Sequence, residues 1–315
     1  MNLTDCPCDH VSFLSPLLEE AGAARWGISE ATDVAPEAAQ QYLDFISSGR
    51  HASMEYLARN LEARFTTSLI LPGARSIISV AFTYPEAPEP LTARHPRWAA
   101  YCLGDDYHEV IRRRLAPVAA EIDNRLGAVS RVCVDTAPIM ERYRAVRAGV
   151  GFRGRNGMLI VPGIGARVFL AEIFTTAVFP PSLPSPSEIA CDGCGRCVAA
   201  CPAGALCGDG TLDARRCLSY LTIEHRGALP PGTSAGNRVY GCDTCRLVCP
   251  HENSSACHSV DEFSPRESIL SLTVDDIAGM TRSDFTLIFR HSAIRRTKHE
   301  GLLRNVKSML NMDGD

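Results

Sequence analysis

The chain has 315 residues, 14 of them cysteine, and carries 32 Lys and Arg against 36 Asp and Glu for a net charge of −4. That length exceeds what a bare electron carrier needs and suits about two domains. The mildly acidic balance excludes a protein that binds nucleic acid through overall charge, leaving only local basic patches. Clustered cysteines in a chain of this size argue against a secreted disulfide scaffold. The acidic start, with Asp5, Asp9, Glu19 and Glu20, lacks a leader pattern, and even the apolar run Val168–Ile173 is interrupted by Glu172. A cytoplasmic protein with no membrane partner is expected.

In chain order, apolar residues at three- and four-residue steps predict helices over 11–23, 37–49 and 105–126. Short β-branched runs bounded by Pro, Gly or Asp predict strands at Ser76–Phe82, Arg131–Val134, Met158–Val161 and Arg167–Leu170. This alternation favours a mainly three-layer α/β (or α+β) domain over 1–185. The stiff segment Pro180–Pro186 marks the boundary. A cluster domain follows over 186–262. Beyond it a short basic tail, 263–315, carries helices near Thr273–Met280, Ser283–Arg290 and Lys298–Met312, with Arg290, Arg295, Arg296, Lys298, Arg304 and Lys307.

The cysteine spacing is the most specific signal. Cys191, Cys194, Cys197 and Cys201-Pro202 are followed by Cys242, Cys245 and Cys249-Pro250. In the bacterial ferredoxin pattern three close thiolates hold one 4Fe-4S cluster, and the cysteine before proline crosses to the other. Cys191, Cys194 and Cys197 would share a cluster with Cys249, while Cys201 would join Cys242 and Cys245. The second set lacks one thiolate, for which Cys207, Cys217 and Cys257 are candidates. Structural zinc is the competing account, but it does not require three evenly spaced thiolates plus a fourth before proline.

In the first domain a strand is expected to end at Asp135, where open α/β sheets place ligand-binding groups; a helix cap is the plainer role for the same residue. Gly149–Gly157 brings Arg153 and Arg155 to a glycine-rich turn that suits a bulky ligand, a phosphate or an amide, or simply a tight bend. Asp105-Asp106-Tyr107-His108 opens a helix, with acids at its positive end. No Ser–His–Asp set or Walker loop is present.

Taken together, Val134-Asp135-Thr136-Ala137-Pro138-Ile139-Met140-Glu141-Arg142, the stretch Gly151–Asn156, the cysteine segment and Arg216–Glu224 resemble the epoxyqueuosine reductase family, here in a short form without the C-terminal helical-repeat domain. Leu71–Ile78, Ser292–Lys298 and Leu302–Asn305 extend the resemblance across residues 17 to 312. The resemblance implies a base-off cobalamin above the α/β domain with two 4Fe-4S clusters beside it, as in the partly similar reductive dehalogenases. It implies reduction of epoxyqueuosine to queuosine at the tRNA wobble position, with Asp135 as proton donor and Cys217 completing the set of Cys201, Cys242 and Cys245. Arg64, Tyr107, His108, Gly154, Arg155 and Asn156 are the corrin-flanking residues it suggests. A monomer fed by a flavodoxin- or ferredoxin-type donor is expected. Departures are the loss of two basic residues in Tyr101–His108, Gly151–Asn156 in place of Gly-Trp-Ile-Gly-Lys-Asn, and Cys249-Pro250-His251-Glu252 in place of Cys-Pro-Trp-Asn.

The chemistry requires an acid that carries a proton at neutral pH, and burial against an apolar corrin face would raise the Asp135 pKa. Two other functions fit parts of the pattern: a cobalamin and iron–sulfur reductase of a small molecule, or a non-catalytic ferredoxin-type carrier.

Overall fold

The computed structural model describes residues 9–182, 190–253 and 260–310. Its strands are β1 (Arg25–Glu30), β2 (Ser76–Thr83), β3 (Arg97–Trp98), β4 (Ser130–Cys133), β5 (Phe152–Arg153), β6 (Leu159–Ile160), β7 (Val168–Thr175) and β8 (Arg238–Tyr240). The main sheet has the order β1-β2-β7-β4, and every pairing in it is antiparallel. All eight residues of β2 are buried, as a central strand covered on both faces requires.

Period-two alternation sorts the sheet's side chains into two cores. On one face Ile78, Val80, Phe82, Ala171 and Ile173 meet the helices Leu14–Glu20 and Tyr107–Leu126 through Leu14, Leu18, Ile111, Leu115 and Ile122. On the other, Ile77, Phe174 and Cys133 pack against Ile70, Leu71 and Ile139, and Ala81 meets Ala145 of the helix Glu141–Arg147 and its C-cap Ala148. Three layers are thus present, built on antiparallel strands. β1 and the full length of β7 exceed what the sequence pattern predicts, and Met158–Val161 contributes β6 to a separate hairpin with β5.

A second core lies away from the sheet. β3 pairs in parallel with β8, and Trp98, Cys102, Leu103, Val239 and Tyr240 pack with Ile277, Phe285, Phe289, Leu302 and Val306 of the C-terminal helices. Two of those helices, Val274–Ala278 and Arg282–Ile288, begin with capping boxes made by Thr273 with Asp276 and by Thr281 with Asp284. The Pro180–Pro186 boundary lies partly outside the described residues. Cys6, Cys8 and Cys257 lie outside them.

Candidate active site and cluster sites

Asp135 follows β4 and adopts φ +52°, a left-handed conformation that a residue with a side chain holds only when its surroundings insist. The next helix starts at Glu141 with Met140 as its N-cap. Asp135 therefore caps nothing, which removes the plainer of its two roles. The strand-end rule for open parallel sheets does not place it either, since β4 is an antiparallel edge strand. What places it is the helix Tyr107–Leu126, whose first residues reach across to it.

That helix is capped by Asp106, whose Oδ1 accepts the His108 amide at 3.0 Å and faces His108 Nδ1 at 2.6 Å. The other ring nitrogen, Nε2, lies 2.9 Å from Asp135 Oδ2. The Tyr107 hydroxyl donates to the same oxygen at 3.2 Å. The Tyr107 ring is clamped between Phe169, at 4.3 Å and 6° between planes, and the His108 ring at 4.0 Å. A histidine between two carboxylates keeps its proton: burial alone would lower the His108 pKa, but the Asp106 and Asp135 hydrogen bonds outweigh it and raise it to about 9. Conversely, burial alone would raise Asp135, yet His108 and Tyr107 hold its carboxyl below the usual range. The expected rise of the Asp135 pKa belongs to burial against a corrin face, and the protein's own neighbours pull the other way. The proton sits on His108, because an imidazolium is the immediate neighbour.

Glu141 is the second acid of the site. Its Oε1 accepts the Asp135 backbone N–H, and burial, then the negative Asp135, pushes its pKa up to about 8. The Asp135 side chain is 54 % exposed, so one side of the carboxyl is open while the other is tied down. Arg64 is buried and donates to the Ile139 carbonyl at 3.1 Å, supporting the far end of the loop that carries Asp135.

Gly154, Arg155 and Asn156 lie on the seam with the cysteine segment. Arg155 Nη1 donates to the Gly193 carbonyl at 2.9 Å, Arg153 Nη2 to that of Gly210 at 2.6 Å, and Asn156 Nδ2 to that of Cys245 at 3.3 Å. The arginines of this turn therefore meet peptide carbonyls of the cluster segment. Its glycines answer to close packing: a Cβ on Gly151 would collide with the Ile160 carbonyl, and one on Gly154 would meet Asn156 Oδ1 at 2.6 Å.

Eight of the eleven described thiols fall into two groups of four. Cys191, Cys194, Cys197 and Cys249 line one cavity with Arg155, Asn156 and His251. Cys217 and Cys245 lie within electrostatic reach of Cys201 and Cys242. Cys217 is the N-cap of the helix Leu218–Ile223, with its side chain making no cap hydrogen bond. Cys207 is exposed and faces Arg50 Nη1 at 3.7 Å.

The seam is closed by buried ions that the cysteine spacing conceals. Arg246, between Cys245 and Cys249 in sequence and fully buried, donates to Glu86 and to Glu252 Oε1 at 2.7 Å. Glu141 and Arg246 are neighbours to which sequence reasoning gives no role, and Asp106 is read there only as an acid at a helix start. Only Asp106 has a local signal, as an acid two residues before His108 at a helix start.

Comparison with known proteins follows the same division. Residues 64–136 match the family described as Epoxyqueuosine reductase QueG, DUF1730, and residues 190–252 match the 4Fe-4S double cluster binding domain. An epoxyqueuosine reductase of Cyclobacterium marinum is 34% identical over 306 residues, covering 96% of this chain and 97% of its own. One from Escherichia coli is 34% identical over 295 residues, covering 91% and 77%. A crystal structure of epoxyqueuosine reductase with an epoxyqueuosine-modified tRNA-Tyr stem loop superposes with a TM-score of 0.89 at 30% identity, covering 97% of this chain and 82% of that one. A Bacillus subtilis epoxyqueuosine reductase, solved with its catalytic loop swung out of the active site, gives 0.89 at 28% identity, covering 97% and 82%. Among the described residues no helix is long and apolar enough to cross a membrane.

Proposed function

The chain belongs to the epoxyqueuosine reductase family, and from that premise we propose that it reduces the epoxide of tRNA-borne epoxyqueuosine to the alkene of queuosine, with Asp135 delivering the proton to the departing oxygen. The net change takes two electrons and two protons and releases the oxygen as water. The observation that carries the reading is the Asp135 carboxyl, open on one side and bonded on the other to the Tyr107 hydroxyl and the His108 ring.

His108 supplies the proton, held on Nε2 by the Asp106 contact at Nδ1, and Asp135 relays it from Oδ2 to the substrate oxygen. Tyr107, its phenol kept protonated by burial, steadies the carboxylate when the proton has left. Electrons are proposed to pass through two 4Fe-4S clusters, one on Cys191, Cys194, Cys197 and Cys249, the other on Cys201, Cys217, Cys242 and Cys245. A base-off cobalamin is the proposed reaction centre, supplying a strongly nucleophilic reduced cobalt when bound. The Asp135 carboxyl, open on one side with Tyr107 and His108 behind it, would face that group and its substrate from the protein side. Asn156, bonded to the Cys245 carbonyl, keeps the second thiol group fastened to the same half of the molecule.

For the tRNA, the exposed Arg290, Arg295, Lys298 and Lys307 are proposed as phosphate contacts. Arg304 is not among them, since it donates to the carbonyls of Leu221, His225 and Gly227. Arg296 is tied to Glu224 at 2.7 Å. The protein is proposed to act in the cytoplasm as a monomer, with a flavodoxin- or ferredoxin-type donor. Nucleoside analysis of tRNA from cells lacking the gene tests the reading: epoxyqueuosine accumulates and is cleared when the gene returns. Normal queuosine in those cells would contradict it.

A further inference from the structure

We propose that Glu141 is the positioning residue that fastens the Asp135 loop in its reactive conformation, an inference that rests on the assignment of Asp135 above. Asp135 holds left-handed backbone at a half-exposed position, a conformation costly for a residue with a side chain though least so for Asn and Asp. Left to itself such a residue relaxes, and persistence of the conformation requires ties from outside. The loop's own bonds are local and short-range, Thr136 N–H to the Val134 carbonyl and Ile139 N–H to the Ala137 carbonyl. They shape two tight turns without attaching them to the protein. The far end is attached by Arg64 at the Ile139 carbonyl.

At Asp135 itself the backbone is attached through its N–H, which donates to Glu141 Oε1. The Tyr107 and His108 bonds hold the carboxyl group, but a side-chain tie leaves the backbone free to turn. Glu141 holds the backbone, and it does so from rigid ground. It is the first residue of a helix whose Ala145 is wholly buried and whose Arg144 donates to the Thr32 carbonyl at 2.7 Å and to Thr67 Oγ1 at 2.8 Å. The helix therefore transmits the position of the sheet to the reactive carboxyl, through one carboxylate reaching back across the loop. The catalytic loop of the Bacillus subtilis relative has a swung-out position.

The test compares Glu141→Leu, which removes the acceptor, with Glu141→Gln, which keeps an acceptor oxygen of the same reach. Both are prepared with cofactors loaded and checked for iron, cobalamin and melting temperature. Amide exchange at Asp135, Thr136 and Ala137 is measured alongside kcat and KM. Loss of one hydrogen bond to the Glu141 carboxyl predicts roughly tenfold faster exchange and a roughly tenfold lower kcat in Glu141→Leu, with KM unchanged. Glu141→Gln recovers most of both. Exchange in Glu141→Leu as slow as in the wild type would overturn the proposal. So would a Glu141→Gln protein whose loop is protected but whose turnover is as poor as that of Glu141→Leu, since Glu141 would then be a proton carrier. Exchange is read without turnover, so the latch is judged even if Asp135→Asn proves active and the assignment of the acid fails.

Discussion

One histidine decides which group at the site is charged. His108 lies between Asp106 and Asp135, and its raised pKa of about 9 lies above the ordinary value near 6.5. A group raised on folding stabilises the fold fully below its unfolded value, and that contribution is lost as pH climbs through the folded one. In the proposed mechanism the same proton serves the reaction. Turnover should therefore fall as pH rises through about 9, after an earlier and shallower change near 8 where Glu141 ionises. Replacing His108 by Gln should lower turnover at neutral pH and abolish the upper limb. A wild-type profile that stays level through that range would remove His108 from the proton path. Asp135, Tyr107 and His108 are all legible in the sequence, because their identities and order carry the resemblance. The direction of the Asp135 pKa is not legible, for it depends on a histidine 27 positions away in sequence whose ring reaches it. Glu141 is equally hidden: its task follows from the backbone angle of Asp135, which no composition or spacing reveals.

Among the elements, the helix Tyr107–Leu126 does most to assemble the site, and its start is readable from Asp106 at the N-cap. β1 is harder to see. Its alternation is broken by Gly27, which sits there because any Cβ would collide with the Ala148 carbonyl at the end of the helix Glu141–Arg147. A contact between distant segments thus spoils the local strand pattern. The helix Leu218–Ile223 shows the opposite case, where a local position acquires meaning from the fold. Cys217 at its N-cap joins Cys201, Cys242 and Cys245, whereas Cys207 stands exposed beside Arg50. Cys217→Ser should then reduce the iron of anaerobically purified protein to about half, and Cys207→Ser should leave it unchanged, as expected for four thiolates per cluster. The reverse pattern in iron analysis would transfer the fourth ligand to Cys207. Loss in neither would leave Cys257, which lies outside the described residues.

Across the whole molecule, the two thiol groups and the proton-bearing site are held in one body by interactions that sequence segmentation does not display. Trp98, Cys102 and Leu103 from the first half share a core with the C-terminal helices. Arg246 pairs with Glu86 from the first half and with Glu252 beyond Cys249, and removing one partner of such a buried set is costly, on the order of 3–5 kcal/mol. The cysteine spacing announces the clusters, yet only the packed structure explains how Arg153, Arg155 and Asn156 fasten them to the half that carries Asp135. The claim on which the rest depends is that electrons crossing this seam and a proton leaving Asp135 meet at one epoxide. Anaerobic single turnover of an epoxyqueuosine-modified stem loop, with wild-type and Asp135→Asn proteins both loaded with clusters and cobalamin, tests it most directly. Queuosine should form with the wild type and be absent with the variant, the substrate remaining intact. Equal product from both proteins, or none from the loaded wild type, would contradict it.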